Sequence, residues 1–227
     1  MNLLAIETSS EYLSLAVEGG GRLHEYHEHA GQRHAERILG EIAGLLERAG
    51  LQRADLQGIA FGCGPGSFTG LRVACGVTQG LALALDVPVH GVVTLAALAE
   101  ALWRDTGARQ VITCIDARMG EVYHAAYERT ADDWREVCAP GLYKPEAVPA
   151  LQGEGWTGCG SGFAVFRSQL MTHYAGQVAN VIDGLAPHAR EVAAIAARRF
   201  AREEAVDPAD ALPLYVRNKV ALKVSER

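Results

Sequence analysis

Gly62-Cys63-Gly64-Pro65-Gly66-Ser67-Phe68-Thr69-Gly70 is the stretch on which the fold turns. Ahead of it, Leu56 to Gly62 is an apolar run of strand length. Behind it, from Phe68-Thr69 to Leu85, the apolar residues almost encircle a helix, which predicts burial on more than one side. A strand feeding a helix through a glycine turn is the repeating unit of an α/β sheet, and the backbone N–H groups of such a turn can hold an anion. The string is no P-loop, because no Lys-Ser/Thr pair follows a glycine at the required spacing. It is no nucleophile elbow either, since Pro65 and Thr69 stand where Ser67 would need glycines. As a dinucleotide fingerprint, Gly64, Gly66 and Gly70 run one residue too long, and the next strand, ending near His90-Gly91, offers no acid for a ribose. On the residues alone, a tight turn that lets the helix pack close to the sheet leads.

Outward from this unit the periods alternate. Leu3 to Glu7 and Tyr12 to Glu18 read as strands, Gly19-Gly20-Gly21 as a turn, and Arg22 to His29 as a polar strand. From Arg33 to Arg48, Ala35, Ile38, Leu39, Ile42, Leu45, Leu46 and Ala49 repeat at helical spacing, and Gly50 is a natural stop. Val87 to Val93 is a strand, after which Thr94 can cap a helix through Trp103. The order is that of an α/β lobe with an antiparallel hairpin pair on a partly parallel sheet. A second unit starts near Gln110, with a hairpin of Val111 to Asp116 and Glu121 to Glu128 around Ala117-Arg118-Met119-Gly120. Thr130 to Gly155 reads as loop, Val192 to Phe200 as a helix, and Val220 to Arg227 has little to fold with. Residues 1–105 and 106–227 are therefore expected as two lobes, with the helix near 188–204 and the C-terminal segment packing back on the first. Strand-hairpin openings at Met1 and Val111 hint at duplication.

The composition, 49% apolar and 21% charged, suits a globular core. The N-terminus lacks a basic n-region, which argues against a signal peptide. The apolar region Val73 to Trp103 is broken by Gln79, Asp86, Pro88 and His90, so no membrane span is expected, and a soluble cytoplasmic chain is. Five cysteines without a CxxC pair read as small buried hydrophobes. With a net charge of −6 and no Lys/Arg block, any grip on RNA should come mostly from something else.

The glycine string also carries a resemblance. Gly64-Pro65-Gly66-Ser67-Phe68-Thr69-Gly70-Leu71-Arg72, followed by Gly76 and Gln79-Gly80-Leu81-Ala82, is similar to the signature of the TsaB (YeaZ) family. Leu4-Ala5-Ile6-Glu7-Thr8-Ser9 resembles that family's opening strand and turn, Asp116 to Tyr123 its second-lobe hairpin, and Leu214-Tyr215-Val216-Arg217-Asn218 its closing motif. The resemblance implies a two-lobed α/β fold of the actin-like ATPase (ASKHA) type, each lobe ribonuclease-H-like. It implies a subunit that dimerises with TsaD, the threonylcarbamoyl transferase acting on an adenosine beside the anticodon of tRNA, and that recruits the ATPase TsaE. tRNA is then met only through the complex, with room for a homodimer when the chain is alone.

Set against that fold, this chain reads as a non-catalytic copy with a degraded nucleotide site. Its first turn, Thr8-Ser9-Ser10, has no glycine, and Glu11 adds like charge beside any phosphate. The second turn after Asp116 puts Arg118 and Met119 where paired glycines would stand. Gly160 and Gly162 fit equally a remnant of an adenosine loop or a flexible turn. TsaD holds a metal with two histidines four apart, whereas His34 here is followed by Ile38, so no intrinsic metal or cofactor is expected; a nucleotide where the subunits meet is left open. Among His24, His27 and His29, a polar edge strand outweighs a metal site. Gly76 and Gly80 lie one turn apart among Val73, Val77 and Leu81, a face that lets a partner helix approach; with His34, Ile38, Ile42 and Leu45 it makes the expected docking surface. An active ATPase or sugar kinase of the same fold, or a protease of the partner subunit, are the alternatives. The first needs the missing glycine turns, and the second a nucleophile beside a base.

Overall fold

The computed structural model describes residues 1–217; Asn218 of the closing motif and the segment Val220 to Arg227 lie outside the described residues. The first sheet is built from β1 (Leu3–Glu7), β2 (Tyr12–Gly19), β3 (Arg22–His29), β4 (Gly58–Gly64) and β5 (Val89–Val93) in the order β3-β2-β1-β4-β5. β1, β2 and β3 pair antiparallel, while β1, β4 and β5 pair parallel. β1 and β4 are buried along their whole length because helices cover both faces, which is why they read as continuous apolar runs. β3 is an edge strand, and its alternating charges and histidines suit that place.

The second sheet, from β6 (Gln110–Arg118), β7 (Glu121–Arg129), β8 (Trp134–Tyr143), β9 (Trp156–Cys159) and β10 (Val178–Ile182), runs β10-β9-β6-β7-β8. Strand for strand this repeats the first sheet, with the same antiparallel and parallel pairings. Two ribonuclease-H-like lobes follow, the architecture the sequence implied. The segment 130–155 departs from expectation: β8 is a ten-residue edge strand with Pro140 inside it, which read as loop because edge strands tolerate such residues.

The helices tie the lobes together. α1 (His34–Ala49) and α2 (Phe68–Leu85) cover one face of the first sheet around Leu4, Ile6, Leu15, Ile59 and Phe61. α3 (Thr94–Thr106) ends the first lobe yet lays Leu98 and Leu102 on Val111, Tyr123 and Tyr127 of the second sheet. α4 (Ser161–His173) covers that sheet's other face, and α5 (Ala189–Ala201) crosses back to pack Val192, Ala193 and Ala196 on Leu3, Ala5 and Ala60. The buried Glu100 of α3 locks this exchange: it takes both Arg198 nitrogens of α5 at 2.9 Å, Arg129 of β7 at 3.2 Å and the Trp134 indole N–H of β8 at 2.7 Å.

One local expectation changes. Thr94 does not cap α3: Val93 holds the N-cap position, and the Thr94 hydroxyl is buried without a partner. α2 spans 18 residues and is long and apolar enough, by length and composition only, to cross a membrane, although Arg72 and Gln79 interrupt it. Here its inner face lies on β4, and Gln79 in its middle donates to the Ala211 carbonyl at 2.9 Å.

Candidate functional site

Between the β1–β2 turn, the glycine string and the β6–β7 turn lies a cleft of 880 Å³, where the actin-like fold would hold a nucleotide. In the first lobe the β1–β2 turn and the glycine string hydrogen-bond to each other. Ser67 caps α2 through its hydroxyl, which accepts the Gly70 N–H at 3.3 Å, while the Ser67 N–H donates to the Ser9 carbonyl at 2.7 Å. The Thr8 hydroxyl donates to the Gly70 carbonyl at 2.8 Å. The glycines exist for this contact: a Cβ on Gly70 would stand 1.8 Å from the Thr8 carbonyl oxygen, and one on Gly66 2.7 Å from that of Ser9. Gly64, at φ 118°, faces the Leu214 carbonyl in the same way, Pro65 lines the cleft, and Thr69 is exposed in the first turn of α2. The tight-packing reading of the string therefore holds, with the β1–β2 turn as what it packs on. Beneath that turn, Gly62 leaves space for the buried Glu7, whose Oε1 accepts the Ser9 N–H at 2.5 Å. Burial raises the Glu7 pKa, partly offset by its hydrogen bonds to Ser9 and Thr8.

The second lobe closes its turn by different means. Arg118 and Met119 both take positive φ, 63° and 57°, in the β6–β7 turn. The Arg118 N–H donates to Asp116 Oδ1 at 2.9 Å, its guanidinium pairs with Oδ2 at 3.1 Å, and the Asp116 N–H donates to Ser161. Gly160 and Gly162 each let the start of α4 sit on Cys114 of β6, where a Cβ would meet its backbone or side chain within 3 Å. Of the first-turn residues, Thr8 and Ser9 are buried, Ser10 is half-buried, and Glu11 reaches the His29 imidazole at 3.4 Å.

The expected docking surface needs a larger correction. Ile38, Ile42 and Leu45 are at most 2% exposed and point into the first-lobe core, not outward. Helical spacing locates an apolar face, and here that face is the inner one. His34 is buried too; its Nε2–H donates to the Tyr12 carbonyl at 3.2 Å, which makes it a helix-start residue. Val73, Val77 and Leu81 are half-buried against the same core. Gly76 and Gly80 do face outward, with nothing within 4 Å of where a Cβ would stand. Beside them Leu83 and Leu39 are exposed by 59% and 58%, with Ala35, Ala43 and Ala84. The outer surface of α1 and α2 thus carries small and apolar residues without an internal reason to be so, beside the exposed Glu36, Glu47, Arg48 and Arg72.

The other candidates resolve into packing. His27 stacks on Tyr12 and on His188, with centroids 4.6 and 4.1 Å away. Ser14 donates to His188 Nδ1 at 3.2 Å while its oxygen accepts the Ala189 N–H, a serine–histidine pair that caps α5 from beneath. Ser14 is fully buried, out of reach of any substrate. Cys114 is likewise fully buried, its thiol pushed up by burial, opposite the buried His124 that donates to Tyr174 at 2.8 Å.

Residues 206–217 run back over the first lobe; sequence reasoning places the C-terminal segment there without tracing its contacts. Val206 bridges to Val89 on the edge of β5, the Ala211 carbonyl receives Gln79, and the Leu214 N–H donates to the Cys63 carbonyl at 2.7 Å. Tyr215 packs on Phe68, and Arg217 crosses to the second lobe, where it donates to the Ala117 carbonyl at 3.0 Å and pairs with Glu121 at 2.8 Å. The segment straps the lobes across the mouth of the cleft.

A family model described as "TsaD: tRNA N6-adenosine threonylcarbamoyltransferase" matches residues 25–222. The tRNA threonylcarbamoyladenosine biosynthesis protein TsaB of Escherichia coli K12 is 37% identical, over 98% of this chain and 97% of its own. The protein of the same name from Haemophilus influenzae is 33% identical, over 98% and 96%. The solved structure of YeaZ from Pseudomonas aeruginosa superposes with a TM-score of 0.88 at 37% identity, covering 94% of this chain and 99% of that one.

Proposed function

The chain belongs to the TsaB (YeaZ) family, with a role in tRNA threonylcarbamoyladenosine biosynthesis, and from that premise we propose that it acts there as a non-catalytic subunit. It docks through the outer surface of α1 and α2 onto a TsaD-type catalytic subunit, and TsaE joins that pair. One observation carries the reading: donors in and beside the first turn are spent on the protein's own acceptors, the Ser67 N–H on the Ser9 carbonyl, the Ser9 N–H on Glu7 and the Thr8 hydroxyl on the Gly70 carbonyl. A turn closed in this way, facing an Asp116 already paired with Arg118, favours a scaffold over an ATPase or kinase. The fully buried Ser14 beside His188 gives the protease reading no reactive nucleophile. The net charge of −6 supports tRNA binding through the assembly, not by this chain alone.

Reconstituted tRNA modification, with each component left out in turn, tests the reading. Omitting this chain should abolish modification by the catalytic subunit, and this chain with the other components should give none without that subunit. Modification in the second case would overturn the proposal.

A further inference from the structure

Arg72 sits one turn before Gly76 and two before Gly80, so the three share the outward face of α2. Its guanidinium carbon lies 3.8 Å from the centroid of the Phe68 ring, and its Nε donates to the Tyr215 hydroxyl at 3.0 Å. Phe68 and Tyr215, 40% and 43% exposed, pack on each other at 5.3 Å, so the guanidinium is stacked on one ring and tethered to another. Arg129, Arg198 and Arg217 each meet a carboxylate, but among the described residues none stands within ion-pair distance of Arg72. An exposed arginine held in one orientation loses little freedom when it binds, and its planar fork matches a carboxylate in two hydrogen bonds. Exposed aromatic and arginine side chains beside a close-approach surface are also the residue types that dominate association energies.

We propose that Arg72, positioned by Phe68 and Tyr215, is the polar anchor of the α2 docking face and receives a carboxylate of the helical partner. This rests on the docking reading above and adds the chemistry of the partner's matching residue. A protein carboxylate is favoured over an RNA phosphate for two reasons. Nucleic-acid surfaces gather several cations, whereas Arg72 is followed along its face by Gly76, Gly80, Leu83 and Ala84, and the whole chain carries −6.

The test is titration calorimetry of the full chain against the TsaD-type catalytic subunit at low and high salt, with thermal melts of each variant. Arg72→Gln should remain folded, weaken association by about tenfold to a hundredfold, the range for hydrogen bonds to charged groups, and flatten the salt dependence. Arg72→Lys keeps the charge without the fork and should fall between. Gly80→Arg, run in parallel, should abolish association. If Gly80→Arg fails to bind while both Arg72 variants match the parent in affinity and salt dependence, the anchor is wrong and the docking face stands. If Gly80→Arg binds normally, the docking face falls and the anchor with it. If Arg72→Gln leaves partner affinity intact but weakens tRNA binding by the assembled complex, the group meets phosphate and the proposal is overturned.

Discussion

The two lobes share one strand order but closed their nucleotide turns in opposite ways. The first lobe uses a neighbour: the glycine string slides against Thr8 and Ser9, so the turn is held by contacts 60 residues away in sequence, such as Thr8 with Gly70. The second uses itself: Arg118 folds back on Asp116 two residues before it, in an exposed turn. They differ in covering as well. Between their third and fourth strands, the first lobe carries the 16-residue α1 and the second only a three-residue 3₁₀ turn at Pro145–Ala147. The extra helix beside α2 gives the first lobe an outer surface that the second lacks. The closed turns and the proposed docking face therefore lie on different elements of the first lobe, and substitutions can address each alone.

The largest effects separate the two sides of α1. Ile42→Glu places an unpaired charge among Ile6, Leu15 and Phe61, a change costing roughly 3–5 kcal/mol or more, and should prevent folding. Leu39→Glu, one turn away on the exposed side, should melt within a few degrees of the parent and lose association with the catalytic subunit. Circular dichroism melts with a pull-down read both. A folded Ile42→Glu, or a fully associating Leu39→Glu, would show that the inner and outer faces are assigned wrongly.

The next contrast compares the turns. In Gly70→Ala the new Cβ meets backbone, not a movable side chain, so the first lobe must shift, at a cost of about 3 kcal/mol or more. In Gly120→Ala the Cβ meets nothing within 4 Å and only the positive φ of 75° is strained, costing about 1–2 kcal/mol. Denaturant unfolding distinguishes them; equal losses would mean that the glycine string is not what holds the first turn.

What the sequence made legible follows from how local each signal was. The strand–glycine–helix unit, both opening hairpins and α5 were readable because periodicity and turn residues lie within one segment. The close approach of Gly160 and Gly162 to Cys114 was not legible, because a glycine required by such packing looks the same in sequence as one required by a turn. Ile38, Ile42 and Leu45 misled: a hydrophobic stripe says that something is covered, not whether the cover is the chain's own sheet. The Glu100 cluster and the strap through Tyr215 and Arg217 join residues 29 to 143 positions apart, and no local pattern announces such pairs. β8 was hidden by Pro140 and its charges, which an edge strand accommodates.

The smallest effect is a pH dependence that compares the buried histidines of the two lobes. His188 holds α5 on the first lobe; burial, then His27, Arg190 and Arg104, push its pKa down to about 3, with Glu25 as the one acid close by at 4.0 Å. His124 sits inside the second lobe, also pushed to about 3 by burial and by His173, and it donates to a Tyr174 hydroxyl that itself donates to the Pro149 carbonyl. Both are neutral when folded and take up a proton on unfolding near their ordinary value of about 6.5. Below that value the unfolded chain binds more protons, so stability is full above it and falls as pH drops toward 3, by about 1.4 kcal/mol per histidine between pH 7.5 and 5.5. Replacing His188 with Asn should lower stability at pH 7.5 and make its fall to pH 5.5 shallower by about that amount. His124→Asn should do the same from the other lobe. Urea unfolding at the two pH values, followed by the fluorescence of Trp156 in the His124 core, measures the slopes. If either variant keeps the parent's slope, that histidine is not held neutral by its surroundings. If only His124→Asn flattens the curve, α5 is not fastened to the first lobe through the His27–His188 stack, and the lobes are joined by the Glu100 cluster and the strap without it.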